Sequence, residues 1–395
     1  MSWEYVRLGE LYEVHNGLSK GGKFFGSGFP FLSFSTVFNN WFLPSILPDL
    51  VQSTEKEQMS YSIERGDVFI TRTSETMDEL GMSSVALKAY PQATYNGFTK
   101  RLRPIDNRIL PEFVGYYFRC PVFRGGFRAF STMTTRASLR NEDLLSMEIP
   151  VPPMDIQQRI ADILSAYDNL IENNQKQIKL LEEAAQRLYK EWFVDLRFLG
   201  HEMTPVVDGV PEGWAVQTLS QIADVVMGQS PKSEYFNQNG EGLPFHQGVG
   251  SYGDRFVING TYSTSFTRIA KAGSILFSVR APVGRLNLTK DRIVIGRGLA
   301  AINHRQGLQS YLFYLLKNRF FKDDIIGNGS IFASISKDDL LNQKLLVPDN
   351  TLAVQFNSIA YVIDKKISCL SDQIRFLTEA RDRLLPKLMS GEVEV

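Results

Sequence analysis

The sequence predicts an α+β fold in which two similar α/β domains are separated by a pair of long antiparallel coiled-coil helices, as a pseudo-two-fold internal repeat. Three observations support this prediction: a set of landmarks occurs twice in the same order, each copy opens with short strand-like segments, and each copy closes with a long helical pattern. A chain of 395 residues that is 43% hydrophobic and 22% charged is ordinary for a globular protein of two or three domains.

The duplication covers about half of the chain per copy. The order of the landmarks is the same in both copies, while the residues between them differ, so we interpret the chain as two diverged copies of one unit. Chance similarity of short strand-like segments is the alternative. The matching landmarks are Trp3 and Trp214, Gly17 and Gly228, residues 66–72 and 273–280, residues 138–145 and 334–341, and Val151-Pro152 and Val347-Pro348.

Each copy opens with apolar, β-branched and aromatic residues interrupted by Gly, Asn and Pro, a pattern typical of short strands and loops. Residues 67–71 and 274–278 predict buried strands. Residues 111–118 and 310–316 predict short core helices. These elements together indicate a mixed α+β domain in each copy.

Each copy closes with apolar or small residues at alternating steps of four and three, which predicts the heptad seam of a coiled coil. Each seam position of the second copy is the corresponding first-copy position plus 196. The first seam comprises Ile160, Leu164, Tyr167, Ile171, Asn174, Ile178, Leu181, Ala185, Leu188 and Trp192, and the second comprises Phe356, Ala360, Ile363, Ile367, Leu370, Ile374, Leu377, Arg381, Leu384 and Leu388.

Two matching seams can bury one another, and pairing about an approximate two-fold axis makes the helices antiparallel. A helix of about 35 residues is roughly 50 Å long, so the pair would hold the domains apart. Asn174 and Arg381 are polar seam positions that either fix the register or lie in a solvated section. Pro386 is expected to kink or end the second helix near Leu385. Two independent amphipathic helices, or pairing between two chains, remain alternatives.

These features resemble the specificity (S) subunit of type I restriction-modification enzymes over the whole length. The resemblance is carried by residues 188–198, 211–214 and 384–391, and by the Val-Pro-Pro segment before each helix. In the second copy the last Pro of that segment is Asp349. The resemblance implies target-recognition domains at residues 1–153 and 201–350, with conserved helical regions at residues 154–200 and 351–395.

The resemblance further implies that each recognition domain reads one half of a bipartite double-stranded DNA target. The helices would set the spacer and dock two methyltransferase (modification) subunits, and motor-nuclease (restriction) subunits would complete the enzyme. The chain itself would have no catalytic site and no cofactor. A specificity subunit of a modification-only assembly and a coiled-coil adaptor without DNA binding are the alternatives.

The charge distribution favours DNA binding in the recognition domains. The net charge of the chain is zero, but residues 97–140 carry nine basic and two acidic residues, and such segments can neutralise phosphates. Arg, Asn and Gln on loops can also read base edges. The candidate DNA-binding residues are Lys20, Lys23, Arg72, Lys100, Arg101, Thr134, Thr135, Arg136, Lys232, His246, Gln247, Arg280, Arg297, Asn328 and Ser330.

Other functional classes find little support in the sequence. Residues 17–24 nearly match a phosphate-binding loop, but Phe24 replaces the Ser or Thr that would bind magnesium. The four histidines and two cysteines show no metal-ligand spacing, so no metal is expected. Few cysteines, no secretory pattern and no long apolar run predict a cytoplasmic protein without a membrane partner.

Overall fold

The computed structural model describes residues 3–74, 80–130, 137–320 and 334–395. The chain divides into two compact units. Unit 1 comprises Met1–Asn174 and Gln373–Val395, and unit 2 comprises Gln175–Asp372. Each unit therefore contains part of both long helices, and the domain boundaries expected from the sequence remain a prediction.

The helices of the described residues are α1 (Leu8–Leu11), α2 (Phe34–Asn39), α3 (Glu55–Ser60), α4 (Pro111–Tyr117), α5 (Pro121–Phe130), α6 (Asn141–Ser146), α7 (Met154–Phe193), α8 (Leu219–Ile222), α9 (Gln309–Phe320), α10 (Lys337–Leu341) and α11 (Asn350–Ser390).

The strands of unit 1 are β1 (Glu4–Arg7), β2 (Tyr12–Asn16), β3 (Phe25–Leu32), β4 (Asp49–Val51), β5 (Val68–Thr71), β6 (Thr73–Ser74), β7 (Ser83–Val85), β8 (Thr94–Tyr95), β9 (Thr99–Pro104), β10 (Ala137–Ser138) and β11 (Glu148–Val151). Those of unit 2 are β12 (Val206–Val207), β13 (Val210–Pro211), β14 (Ala215–Thr218), β15 (Ala223–Met227), β16 (Phe236–Asn237), β17 (Leu243–His246), β18 (Tyr262–Ser263), β19 (Ile269–Ala270), β20 (Ile275–Ser278), β21 (Leu286–Leu288), β22 (Ile293–Ile295), β23 (Leu299–His304) and β24 (Lys344–Val347).

The two units share one sheet plan. In unit 1, β1 pairs with β11 and a four-stranded sheet has the order β2-β9-β5-β7; in unit 2, β14 pairs with β24 and a four-stranded sheet has the order β15-β23-β20-β21. A further sheet has the order β4-β3-β8 in unit 1 and β16-β18-β17-β22-β19 in unit 2. Because equivalent strands occur in the same chain order, the internal repeat inferred from the sequence is also a repeat of topology.

The predicted buried strands and core helices are confirmed. Every residue of β5 and β20 is buried, because each is an inner strand of its four-stranded sheet. The predicted core helices are α4 and α9, and their apolar side chains belong to the main hydrophobic cluster of their own unit. Burial of such side chains is the dominant favourable contribution to folding.

The second long helix differs from the expectation at one proline. Helix α11 continues through Pro386 to Ser390, so this proline does not end the helix. Its last turn is held by packing, since Leu385, Leu388 and Met389 are buried in the hydrophobic cluster of unit 1.

The structure also explains why Asp349 replaces the last Pro of the Val-Pro-Pro segment. Its Oδ1 accepts a hydrogen bond from the Leu352 backbone N–H at 3.0 Å and caps the start of α11.

The predicted seam residues lie on covered sides of α7 and α11. The buried apolar seam positions are Ile160, Leu164, Ala185, Trp192, Phe356, Ala360, Ile367, Leu370 and Leu388. The half-buried seam positions are Tyr167, Ile171, Ile178, Leu181, Leu188, Ile363, Ile374, Leu377 and Leu384.

The two polar seam positions both have protein partners in unit 1. Asn174 is 7% exposed and its Nδ2 donates to Oε1 of Gln373 at 3.3 Å. Arg381 donates to Asp168 at 2.5 Å. These contacts favour a role in register over simple solvation.

Candidate nucleic-acid interface

In unit 2, three backbone segments meet where the end of β15 and the start of β23, in the four-stranded sheet, lie next to the ends of β17 and β22. The N–H of Gly228 donates to Leu299 at 2.9 Å, and that of Gln229 donates to Ile295 at 2.9 Å. The N–H of Gly296 donates to His246 at 2.8 Å. The loops that follow these residues are therefore brought side by side, although the sequence separates them by tens of residues.

Unit 1 builds the same framework from different residues. The N–H of Leu18 donates to Tyr95 at 2.8 Å, and the N–H of Asn96 donates to Leu32 at 3.0 Å. By these bonds Ser19 corresponds to Ser230, residue 33 to residue 247, and residue 97 to residue 297. The two units thus present different side chains from equivalent backbone positions.

The repeated glycine of the sequence is a requirement of this framework. A Cβ atom on Gly17 would lie 2.1 Å from the carbonyl oxygen of Asn96, and a Cβ atom on Gly228 would lie 2.1 Å from that of Gly296. Both contacts are to backbone atoms, so no side chain fits without moving the loops. This explains why the landmark recurs in both copies.

The exposed framework positions of unit 2 carry Gln247 and Arg297, two of the predicted DNA-binding residues. The Ser230 hydroxyl connects them. It donates to Oε1 of Gln247 at 2.7 Å and accepts a hydrogen bond from the Arg297 backbone N–H at 3.2 Å. Thr267, which is exposed, donates to the neighbouring Gln229 carbonyl at 2.6 Å. The structure therefore brings together a polar group suited to hydrogen bonding with base edges.

The equivalent positions of unit 1 carry Ser33 and Gly97, which are much smaller. A cleft of about 370 Å³ lies beside them, lined by Ser33, Asn96, Asp49 and Phe25 among others. Phe98 is 54% exposed next to the loop. Unit 1 therefore presents a concave, partly aromatic surface where unit 2 presents two long polar side chains.

The predicted lysines near these loops differ in how strongly other residues of the protein hold their side chains. Lys20 is held in place, because its Nζ donates to Glu57 at 2.7 Å and to the Gln52 carbonyl at 2.6 Å. The same contact lowers the pKa of Glu57. Lys23 is exposed beside the Phe24 ring. Lys232 is exposed and lies 3.8 Å from Glu234.

Two other predicted residues have internal partners. Lys100 is 5% exposed, donates to Asn141, and has its pKa lowered by burial and then by Arg72. Arg101, also 5% exposed, donates to the Ser62 carbonyl at 2.7 Å. Both lie on the inner strand β9 and are almost fully buried, so the prediction that they contact DNA is not supported.

His246 is likewise an interior residue. It is 1% exposed, with Nδ1 2.7 Å from the Ser251 hydroxyl and Nε2 3.1 Å from Oδ1 of Asn259. Burial lowers its pKa, and the hydrogen bond with Asn259 opposes that shift. Its two ring nitrogens are occupied, so His246 supports the loop of Gln247 instead of facing solvent.

Arg72 and Arg280, which the sequence pairs as equivalents, are not structural equivalents. In unit 1 the backbone of Arg72 bonds to Phe98 and Leu139. In unit 2 the same backbone bonds are made by Val279, one residue before Arg280. The segment 273–280 is one residue longer than the segment 66–72, so aligning their last residues places Arg280 opposite Arg72 instead of Val279. Arg280 is exposed and Arg72 is half-buried.

The remaining predicted DNA-binding residues, Thr134, Thr135, Arg136, Asn328 and Ser330, lie outside the described residues.

Sequence reasoning missed the contacts that fix α7 and α11 against the globular part of each unit. In unit 1, the Tyr116 hydroxyl donates to Asp168 at 2.7 Å. In unit 2, the Tyr314 hydroxyl donates to Asp364 at 3.1 Å, and Arg255, 4% exposed, also donates to Asp364. Asp168 and Asp364 are 196 residues apart, which is the offset that relates the two seams. This spacing in the sequence could have identified the two aspartates as equivalent residues.

The described part of the chain holds no group of three or more His, Cys, Asp or Glu side chains suited to a metal ion. None of its helices is long and apolar enough to cross a membrane.

Comparisons with known proteins agree on one family. Residues 1–183 and 211–356 match the family described as "Type I restriction modification DNA specificity domain". A putative type I restriction enzyme MjaX specificity subunit from Methanocaldococcus jannaschii is 28% identical, with 100% of this chain and 94% of the relative covered. The MjaIX specificity subunit of the same organism is 25% identical, again with 100% and 94% coverage.

A solved structure shows the same fold. It is the S subunit of a type I restriction-modification system from M. genitalium, which has a TM-score of 0.62 and 16% sequence identity, and covers 98% of this chain and 96% of that one.

Proposed function

The chain belongs to the type I restriction-modification DNA specificity family as a specificity subunit, and we propose that each of its two units reads one half of a bipartite double-stranded DNA sequence. The observation that carries this proposal is the shared loop framework with different exposed side chains. Equivalent backbone positions hold Gln247 and Arg297 in unit 2, and Ser33 and Gly97 in unit 1. Two dissimilar reading surfaces on one framework suit two dissimilar half-sites.

DNA backbone contacts would come from the exposed basic side chains around these loops. Lys23, Lys232 and Arg280 are exposed on the described surfaces, and Arg72 is half-buried nearby in its unit. Phosphate contacts of this kind fix the orientation of a protein on DNA, while base contacts supply the specificity. Binding is therefore expected to weaken as salt rises.

The long helices would serve as an antiparallel coiled-coil spacer and as the docking surface for two methyltransferase subunits. Helices α7 and α11 contain 40 and 41 residues. In unit 1, Asp168 meets Arg381 while Asn174 meets Gln373, a pairing that runs in opposite chain directions. Exposed apolar residues on α11, such as Tyr361, Val362 and Phe376, suit protein partners.

Catalysis is assigned to the partners. The methyltransferase subunits would bind the methyl donor and modify the target base, and motor-nuclease subunits would cleave unmodified DNA. In this proposal the chain acts in the cell interior, where the DNA lies, and contributes recognition and spacing. The expected domain limits at residues 1–153, 154–200, 201–350 and 351–395 belong to the same proposal.

Methylome sequencing of the source cell tests this function. Deleting the chain should abolish methylation at one bipartite motif, and supplying the intact chain should restore it. A methylome that is unchanged by the deletion would reject a role in DNA specificity. Copurification with a methyltransferase but no motor nuclease would indicate a modification-only assembly.

A further inference from the structure

We infer that Gln247 and Arg297 are the base-reading residues of unit 2, with Ser230 as the residue that positions both. The inference rests on the proposed function, and it assigns bases to that same surface. Arg297 would bind the O6 and N7 atoms of a guanine, and Gln247 would bind N6 and N7 of an adenine, in the major groove.

Ser230 orients the side-chain amide of Gln247 without using all of its hydrogen-bonding groups, so the amide can still bind a base. Its hydroxyl donates to Oε1 of Gln247 at 2.7 Å. A carbonyl oxygen has a second lone pair, and the amide nitrogen has two donors. Gln247 is exposed, so these groups can pair with the N6 and N7 atoms of adenine.

Arg297 lies at the centre of a Gly-Arg-Gly loop that packs closely on Gln247. A Cβ atom on Gly296 would lie 2.4 Å from Oε1 of Gln247, and one on Gly298 would lie 2.5 Å from the Gln247 carbonyl oxygen. The glycines allow this approach, and the Arg297 N–H bonds to Ser230. The loop backbone is thereby fixed while the side chain remains exposed.

Within the described part of the chain, the guanidinium of Arg297 makes no hydrogen bond or ion pair. By contrast, Lys20 is occupied by Glu57, and Lys232 lies close to Glu234. A planar guanidinium with its donors unpaired is suited to the two acceptors of guanine. All three side chains carry the same charge, but they differ in whether an acidic residue lies beside them.

Unit 1 lacks this pair of side chains at the equivalent positions, which hold Ser33 and Gly97. Substitutions at Gln247 or Arg297 are therefore expected to change one half-site and leave the other unchanged. A phosphate contact would behave differently, because its loss weakens binding to all sequences alike.

The test is selection from a random double-stranded DNA library by the full-length chain purified with its coexpressed methyltransferase subunits. Arg297→Ala should lower the preference for one G·C pair, and Gln247→Leu the preference for one A·T pair, each by roughly 5- to 150-fold and within one half-site. Ser230→Ala should weaken both preferences, and Ser230→Thr, which keeps the hydroxyl, should restore them. Arg292→Ala, an exposed arginine of the same unit, is the matched control and should keep the wild-type consensus.

The outcomes separate this inference from the proposed function. If the wild-type complex selects a bipartite consensus that Arg297→Ala and Gln247→Leu leave unchanged, the base assignment is wrong while the proposed function stands. Equal weakening on all sequences would make these residues phosphate contacts and would also overturn the assignment. If the wild-type complex selects no consensus, both the proposed function and this inference fail. Melting temperatures within a few degrees of wild type would establish that the variants are folded.

Discussion

In unit 1, the guanidinium of Arg381 on α11 donates to Oδ1 of Asp168 on α7 at 2.5 Å, while Oδ2 of the same carboxylate accepts a hydrogen bond from Tyr116 at 2.7 Å. Arg381 also lies over the ring of Trp41, 4.8 Å from its centroid. One carboxylate thus joins both long helices to the globular part of this unit. The register of α7 and α11 within unit 1 is therefore fixed by a directional contact as well as by apolar packing.

Arg381→Met should destabilise unit 1 even though the seam becomes more apolar. Asp168, which is half-buried, would keep its hydrogen bond to Tyr116 but lose its ion pair with Arg381. We therefore expect the free energy of unfolding to fall by about 1–3 kcal/mol. Urea unfolding followed by circular dichroism measures this loss. Arg375→Ala, which removes an exposed ion pair with Glu379 on the same helix, is the control and should cost less than about 0.5 kcal/mol. Equal effects of the two substitutions would contradict the assigned role of Arg381.

Arg255→Met should have a larger effect, in unit 2. Arg255 is 4% exposed, donates to Asp364, lies 3.4 Å from Glu182, and packs over the Phe313 ring at 4.0 Å. Without this cation, Asp364 and Glu182 on the long helices lose their positive partner. Breaking a buried ion pair in this way costs about 3–5 kcal/mol. Hydrogen exchange of unit 2 amides should increase, and unchanged protection of these amides would show that the arginine contributes little.

Gly228→Ala should disturb the loops that carry Gln247 and Arg297. The new Cβ atom would meet the Gly296 carbonyl oxygen at 2.1 Å, and forcing extra volume into such a packed place costs about 1–3 kcal/mol. The matched control is Gly22→Ala, because a Cβ atom there has nothing within 4 Å. Thermal melting should fall for the first variant and stay near wild type for the second. Comparable melting of both would contradict the close approach at Gly228.

The stability of unit 2 should fall between about pH 7 and pH 5 because of His246. Burial lowers the pKa of His246 in the folded state below its ordinary value of about 6.5, so the unfolded chain binds a proton more readily. This contribution to stability is fully present above that value and is lost as the pH falls from it through the lower pKa of the folded state. His246→Gln should reduce the difference between urea midpoints at pH 7.5 and 5.5, with His304, whose pKa burial also lowers, supplying a remainder. An unchanged difference would contradict this origin.

The periodic parts of the fold were predictable because periodicity is a strong local signal. The heptad pattern located α7 and α11, and the apolar runs located β5, β20, α4 and α9. Pro386 was expected to kink or end α11, and it does not end the helix, because buried contacts of the last turn outweigh the local preference of proline.

The candidate site was predictable only in part, because strand pairing assembles it from distant segments. Gln247 and Arg297 were singled out as residue types, but the Ser230 hydroxyl that connects them follows from backbone bonds that no local pattern reveals. Lys100 and His246 were chosen for their chemistry, and burial on inner strands removes them from the surface. The Arg72 and Arg280 pairing failed by one residue, since similar strands can be aligned in more than one register.

If each unit reads its own half-site, exchanging one recognition domain must change one half of the methylated motif. In a chimeric chain, residues 201–350 are replaced by a second copy of residues 1–153, and the methylated motif is determined by methylome sequencing in cells that coexpress the methyltransferase subunits. We expect the chimera to methylate a motif in which one half-site of the wild-type motif occurs twice and the other is absent. A chimera that still methylates the complete wild-type motif would contradict it.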